Sequence, residues 1–256
     1  MPLLTAKIFV GFVVGVLIGM SGVGGGVLLL PVLIFGLRVP AIIAVGSDAM
    51  FNFFTKIPAG LLHLKRGTVR RKVVVALAVG SIPGSIGGVK LLMHIRHLYG
   101  DGVNNFIKTA VGVLLIVIPT LMLFQRRIEE RVEHRSPTMK GFAGMAVIGL
   151  VAGFLVGMTS VGSGSIIMML LLLFYSFPPK QNVGTDIVHA VVLTGVTSFL
   201  HFRLGNVDPR LVLSLLIGSI PGGLLGSHLA TRMPMIWLRR ILCTLLLITG
   251  ARMLWA

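Results

Sequence analysis

Residues 21–26 read SGVGGG and lie inside an apolar run from Ile8 to Phe35. A continuous α-helix over this run would be about 42 Å long, whereas the hydrocarbon core of a bilayer is about 30 Å thick. Glycine also weakens helices, because it loses the most backbone freedom on ordering. The stretch therefore predicts either a broken helix or a re-entrant hairpin that turns back at the glycines.

The composition of the whole chain places this run in a membrane. Of 256 residues, 55% are hydrophobic and 12% are charged, whereas soluble domains carry about 25% charged residues. Most of the apolar stretches are close to the ~20 residues that a membrane-spanning helix needs. We therefore expect an all-α integral membrane protein with about eight segments, at 8–35, 40–62, 73–93, 104–124, 141–174, 181–202, 211–231 and 236–255.

The net charge of +16 does not indicate a nucleic-acid partner. The basic residues gather in short connections, notably 63–72 and 125–135, as is typical of cytoplasmic loops that also contact anionic lipid. The chain has one cysteine, Cys243, and no Walker lysine or Rossmann unit follows its glycines. We therefore expect no thiolate metal cluster and no nucleotide cofactor. The sequence leaves open whether the chain forms a homo-oligomer.

The sequence contains an internal repeat. Residues VGSD at 45–48 match VGTD at 183–186, His63 matches His201, and GSIPG at 80–84 matches GSIPG at 218–222, each 138 positions apart. This offset predicts two homologous four-segment repeats, 1–124 and 141–256, joined by a polar basic linker at 125–140. Duplicated halves of this kind are common in secondary transporters, whose sites lie near the membrane midplane.

The orientation of the two repeats depends on the first segment of each. If the segments at 8–35 and 141–174 cross the membrane once, each repeat has an even number of crossings and the repeats are parallel. If these segments turn back at their glycines, the repeats are inverted. The basic loops lie on the same side in both arrangements, so charge leaves the choice open.

Asp48 and Asp186 are the only acids inside apolar segments, and they are repeat partners. A carboxylate at the centre of a membrane helix costs about 2.5–3.5 kcal/mol on insertion scales. These acids therefore predict a protonatable or cation-binding site. The alternative is that Ser47 with Asp48, and Thr185 with Asp186, cap helices that begin after Gly46 and Gly184.

Three further positions carry candidate chemistry. Lys56 lies about two turns after Asp48 and could attract an anion, or else extend its ammonium group to the membrane interface. Its repeat partner is Thr194, so the halves differ here. His63 and His201 end their segments and are candidates for proton transfer. The glycine breaks would expose backbone N–H groups and aim helix N-termini inward, which suits an anion, or would instead serve close helix packing.

These motifs together resemble the sulfite exporter TauE/SafE family of bacterial membrane permeases. The resemblance rests on GVGGGVLLLPVL at 22–33, HLKRGTV at 63–69, HFRLGNVD at 201–208 and the paired GSIPG stretches, and it covers nearly the whole chain. It implies a multi-pass protein of the inner membrane that exports a small anion such as sulfite, a sulfonate or another organic anion. The buried acids depart from many members, so the resemblance does not single out sulfite.

The resemblance and the repeat together assign candidate residues to two roles. For proton or ion coupling we expect Asp48, Asp186, His63 and His201. For substrate binding we expect Ser21, Gly24, Gly25, Gly26, Asn52, Thr55, Lys56, Ser160, Gly162, Ser163 and Ser165. The leading hypothesis is a secondary transporter rather than an enzyme. An anion channel is the first alternative, and an intramembrane Asp/His enzyme is the second.

Overall fold

A computed structural model of the chain describes residues 2–21, 25–132, 141–174, 179–230 and 235–255. All regular secondary structure in these ranges is helical. The helices are α1 Pro2–Ser21, α2 Gly25–Pro31, a π-helical continuation Val32–Gly36, α3 Ala41–Lys65, α4 Arg71–Tyr99, α5 Gly102–Val132, α6 Phe142–Thr159, α7 Ser165–Phe174, α8 Pro179–Arg203, α9 Pro209–Ala230 and α10 Met235–Trp255.

Five helices in the described part of the chain are long and apolar enough to cross a membrane. They are Arg71–Tyr99, Gly102–Leu121, Phe142–Thr159, Gln181–Arg203 and Pro209–Leu229. Shorter apolar helices cover Leu4–Met20 and Gly25–Gly36. The prediction of a helical membrane protein is confirmed, whereas the count of eight segments in two repeats stays a prediction.

The first apolar stretch is not one helix. α1 ends at Ser21, α2 begins at Gly25, and every residue of α2 is buried. The predicted break falls on residues 22–24, which lie outside the described residues, so its form stays a prediction. The chain then passes through the π-helical turn Val32–Gly36 and reaches the beginning of α3.

The equivalent stretch in the second half is also interrupted. α6 ends at Thr159 and α7 begins at Ser165. Between them the backbone turns through left-handed conformations, with φ of 57° at Ser160 and 93° at Gly162. A left-handed serine is unusual, since its Cβ crowds the backbone, and such strain is concentrated at functional sites.

The long helices α3 and α8 pack against each other with opposite directions. A Cβ added at Gly46, near the beginning of α3, would lie 3.0 Å from the Cβ of His201 near the end of α8. A Cβ added at Gly184, near the beginning of α8, would lie 2.9 Å from Nδ1 of His63 near the end of α3. Both contacts require glycine, and together they show that α3 and α8 are antiparallel.

Two equivalent hydroxyl groups hold the turns that follow these helices. Ser47 Oγ accepts a hydrogen bond of 3.0 Å from the backbone N–H of Asp208, and Thr185 Oγ1 accepts one of 3.0 Å from the backbone N–H of Arg70. Both helices begin six residues before these hydroxyl groups. The alternative in which helices begin after Gly46 and Gly184 is therefore wrong, because Asp48 and Asp186 lie inside continuous helices.

The remaining major contacts also join the two halves of the chain. α4 packs parallel to α6, with Gly80 against the backbone of Ala146 and Gly88 against that of Phe154. Small residues let the two backbones approach closely, as is common between membrane helices. α1 and α9 pair in the same way through Gly11, Gly15, Gly19, Gly218, Gly222 and Gly226.

Candidate functional site

The buried acid of α3 is bound by residues from both halves of the chain. Oδ2 of Asp48 accepts a hydrogen bond of 2.7 Å from Ser160 Oγ and one of 3.0 Å from Asn52 Nδ2. Asp48 and Asn52 are four residues apart, so they are neighbours on one helix face. Oδ1 of Asp48 has no hydrogen-bond partner among the described residues. The carboxyl group is therefore held in place through one oxygen only.

The two glycine breaks meet at this acid. A Cβ added at Gly26, at the beginning of α2, would lie 2.9 Å from Asp48 Oδ2 and 2.8 Å from the backbone oxygen of Ser160. A Cβ added at Gly25 would lie 2.9 Å from Asn52 Oδ1. Glycine at both positions therefore allows the α2 backbone to approach the acid and the turn of the other half.

Lys56 extends from α3 to the second glycine break. Its Nζ donates a hydrogen bond of 2.8 Å to Ser163 Oγ and lies 3.5 Å from the backbone oxygen of Ser163. A Cβ added at Gly164 would lie 3.3 Å from Asp186 Oδ2 and 3.7 Å from Lys56 Nζ. The ammonium group and the second acid therefore face the same backbone position.

Two polar residues of α3 differ in what they can offer a ligand. The Thr55 hydroxyl donates to the backbone oxygen of Phe51 at 2.9 Å and lies 3.2 Å from that of Asn52, so it is used by its own helix. Asn52 Nδ2 donates to the side chain and the backbone of Asp48, whereas Asn52 Oδ1 has no partner among the described residues. Asn52 therefore presents a free acceptor beside the acid.

The two histidines lie apart from the acids of their own halves. His63 Nδ1 is 2.8 Å from Thr68 Oγ1 in the turn after α3. His201 is buried, and its Nε2 lies 3.0 Å from the backbone oxygen of Gly157. Each histidine packs beside the glycine that precedes the other half's acid by two residues, yet neither is hydrogen-bonded to a carboxylate in the described part of the chain. Their role in coupling stays a prediction.

Some predicted residues can be placed only in part. Gly24 lies outside the described residues. Ser21 ends α1 and Ser165 begins α7, but their side chains are outside the described set. Gly162 adopts a left-handed conformation in the second turn, and as a glycine it has no side chain that could bind a ligand. The described centre of the site thus consists of Asp48, Asn52, Lys56, Ser160, Ser163, Gly164, Asp186 and the beginning of α2.

Sequence reasoning missed two buried polar residues of α8, Asn182 and His189. His189 Nε2 is 2.8 Å from Ser81 Oγ of α4, and both residues are fully buried. Their repeat partners are Ala44 and Phe51, so the comparison of halves that identified the acids gave no signal for them. Their helical spacing from Asp186 was the remaining signal.

The site contains two carboxyl groups and one ammonium group in a largely apolar setting. Such a set can bind a small anion at the lysine and take up protons at the acids, because each carboxylate needs a partner away from water. Within the described ranges, no group of three or more His, Cys, Asp or Glu residues could hold a metal ion.

The chain is similar to known membrane transporter proteins. The family model described as "Sulfite exporter TauE/SafE" matches residues 7–253. The chain is 36% identical to the probable membrane transporter protein YjnA of Bacillus subtilis, over 96% of this chain and 98% of that protein. It is 24% identical to the probable membrane transporter protein YunE of the same organism, over 97% and 96% of the two chains.

A more distant relative comes from an archaeon. The chain is 26% identical to the probable membrane transporter protein MJ0441 of Methanocaldococcus jannaschii, over 80% of this chain and 74% of that protein. No solved structure matches the chain. Since the family model covers almost every residue and a relative above 30% identity is matched along its full length, this chain belongs to the sulfite exporter TauE/SafE family of membrane transporters.

Proposed function

We propose that this protein exports a small anion, such as sulfite, a sulfonate or another organic anion, across the inner membrane together with protons. The observation that carries the proposal is the hydrogen bond from Lys56 Nζ to Ser163 Oγ, which brings a membrane-embedded cation to the turn between α6 and α7. The family description, which names sulfite export, supports the substrate class and the direction.

The geometry around Lys56 suits an anion of few atoms. The ammonium group supplies charge, and the Ser163 hydroxyl can rotate to donate a hydrogen bond. Hydrogen bonds to charged groups contribute about 1.5–3 kcal/mol each, and more where water is excluded. An anion at Lys56 Nζ would replace the hydrogen bond to the uncharged Ser163 hydroxyl with a contact between opposite charges.

The nearby acids explain why protons would accompany the anion. Asp186 and Lys56 face the same position at Gly164, so a bound anion would repel an ionised Asp186 and compete with it for the ammonium group. A carboxylate left without a cation in a low-dielectric site is costly, and protonation removes that cost. Anion binding and proton uptake therefore favour each other in this proposal.

We further propose that the chain consists of inverted repeats, 1–124 and 141–256, joined by the linker at 125–140. The antiparallel packing of the equivalent helices α3 and α8 supports this arrangement. An inverted pair needs an odd number of crossings in each half, so α1 with α2, and α6 with α7, would each act as a hairpin that returns the chain to its original side. The acids would then lie near the midplane, as in other repeat transporters.

Flux in proteoliposomes tests the proposal. The purified protein would be reconstituted, and the movement of sulfite, sulfonates and small carboxylates would be followed with and without a pH gradient. We expect saturable flux of at least one of these anions, faster when the anion compartment is acidic. Unitary currents in planar bilayers would indicate an anion channel instead. Saturable flux with the same rate with and without a pH gradient would show that protons are not transported with the anion.

A further inference from the structure

One face of α8 carries three buried polar residues at helical spacing. Asn182, Asp186 and His189 are separated by four and three residues, so they are neighbours along the helix. Each is at least nine-tenths buried. Four of their side-chain atoms, Asn182 Oδ1, Asn182 Nδ2, Asp186 Oδ1 and His189 Nδ1, have no hydrogen-bond partner among the described residues. These atoms form a continuous row of unsatisfied donors and acceptors.

Such a row is costly unless a ligand fills it. A buried donor or acceptor without a partner costs about 1–3 kcal/mol, and native proteins rarely leave several together. Buried water usually satisfies groups of this kind, with about three hydrogen bonds for each molecule. Because the row includes donors as well as acceptors, water fits it better than a cation would.

The row begins near a polar surface. Next to Asn182, Gln181 Oε1 accepts a hydrogen bond of 2.6 Å from the exposed Arg70 Nε, and Thr185 Oγ1 accepts one of 3.0 Å from the Arg70 backbone. Arg70 belongs to the basic connection between α3 and α4. The row therefore leads from the side of the basic loop into the centre of the protein, where Asp186 lies.

Among the described residues, no such row joins the beginning of α3 to its acid. Ala44 and Phe51 occupy the positions of Asn182 and His189, and both are fully buried. Asp48 Oδ1 and Asn52 Oδ1 also lack partners among the described residues, but both lie at or beyond the acid, and two donors already bind Asp48 Oδ2. The two halves therefore differ in how water can reach their acids, although the acids themselves are equivalent.

We infer that Asn182, Asp186 and His189 line a water-filled path along α8, which carries protons between the basic-loop side and the centre of the protein around Asp186 and His189. The carrying of protons rests on the proposed function, whereas the presence of water does not. The groups that face the path from other helices are Lys56 of α3, which lies with Asp186 beside Gly164, and the Ser81 hydroxyl of α4, which lies 2.8 Å from His189 Nε2. The proposed path has no equivalent at the beginning of α3, where Ala44 takes the place of Asn182.

The repeat supplies matched controls for a direct test. Asn182→Cys would be compared with Ala44→Cys, and His189→Cys with Phe51→Cys, in sealed vesicles treated with a small water-soluble methanethiosulfonate reagent. The native Cys243 is buried, and the parent protein measures its background. Because thiols react only where water and reagent reach them, we expect the α8 cysteines to react at least about tenfold faster than their α3 partners.

The outcome does not depend on transport activity. Faster reaction of either α8 cysteine from the basic-loop side supports the path, so the loss of one variant through misfolding leaves the other pair decisive. Equal rates in each pair that folds would overturn the inference. If the cysteines react as expected but the parent protein transports anions at a rate that does not depend on pH, proton coupling would be contradicted. The inference of a water-filled path would still be supported by the labelling.

Discussion

Ser160 Oγ donates a hydrogen bond of 2.7 Å to Asp48 Oδ2 and thereby joins the turn after α6 to the buried acid of α3. The serine adopts a left-handed conformation with φ of 57°. A strained residue in this position persists only if surrounding contacts hold it there. The contact therefore couples the backbone of one half to the carboxyl group of the other.

Ser160→Ala and Ser160→Gly should differ in stability. Both remove the hydroxyl group that binds the buried carboxyl, at a cost of about 1.5–3 kcal/mol. Glycine also relieves the left-handed strain, of about 1–2 kcal/mol, whereas alanine keeps it. We expect a lower apparent melting temperature in detergent for both variants, with Ser160→Ala the less stable. A glycine variant as unstable as the alanine variant would show that the backbone strain is negligible.

Lys56→Met should weaken anion binding by about 10- to 100-fold, the equivalent of one charged hydrogen bond of 1.5–3 kcal/mol. Methionine is also unbranched, but its side chain is one atom shorter and carries no charge. The measurement is the anion concentration that gives half-maximal thermal stabilisation of the purified protein. Lys90→Met is the matched control, because Lys90 is an exposed membrane-helix lysine of α4. Unchanged affinity in the Lys56 variant would exclude the lysine from the anion site.

Asp186→Asn should remove most of the pH dependence of flux. The amide mimics the protonated carboxyl group, so an anion can bind near Lys56 at any pH without a proton being taken up. We expect wild-type flux to rise as the pH falls and the variant's flux to stay nearly constant, measured in proteoliposomes over a series of buffers. A variant with the full wild-type pH profile would assign the titration to another group.

Asp48→Asn should have a smaller effect on the pH profile. The amide oxygen can still accept the hydrogen bonds that Ser160 and Asn52 donate to Asp48 Oδ2. We therefore expect the protein to fold and its flux to keep a pH dependence, measured beside the Asp186 variant. Equal loss of pH dependence in both variants would mean that the two acids titrate as one unit.

Gly80→Ala should destabilise the α4–α6 contact, whereas Gly87→Ala should not. A Cβ at position 80 meets the backbone of Ala146, while one at position 87 lies 3.7 Å from the ring of Phe154. Overpacking costs about 1–3 kcal/mol, and alanine otherwise favours a helix by about 1 kcal/mol. The apparent melting temperatures of the two variants check the difference. An equal drop in melting temperature for both variants would show that α4 is destabilised by an added methyl group at either position, and not by close packing at Gly80.

The sequence by itself determined the class of the protein and the place in its second half where α6 and α7 are separated. A lack of charge, apolar lengths near a bilayer's thickness and clustered glycines leave few alternatives, because backbone polar groups must be satisfied inside each segment. The constant offset of 138 residues paired Asp48 with Asp186. It also showed that Lys56 has no charged counterpart, which marked the asymmetry of the site.

Only the tertiary structure decided which residues meet. The bond from Ser160 to Asp48, and that from Lys56 to Ser163, span more than a hundred positions in sequence. They depend on how each helix is rotated and offset against its neighbour, and apolar periodicity is weak where helices are apolar on most sides. The repeat gave no signal for Asn182 and His189, because Ala44 and Phe51 stand at the equivalent positions. Their spacing from Asp186 places them on one helix face, but only the packing of the neighbouring helices shows that they are buried.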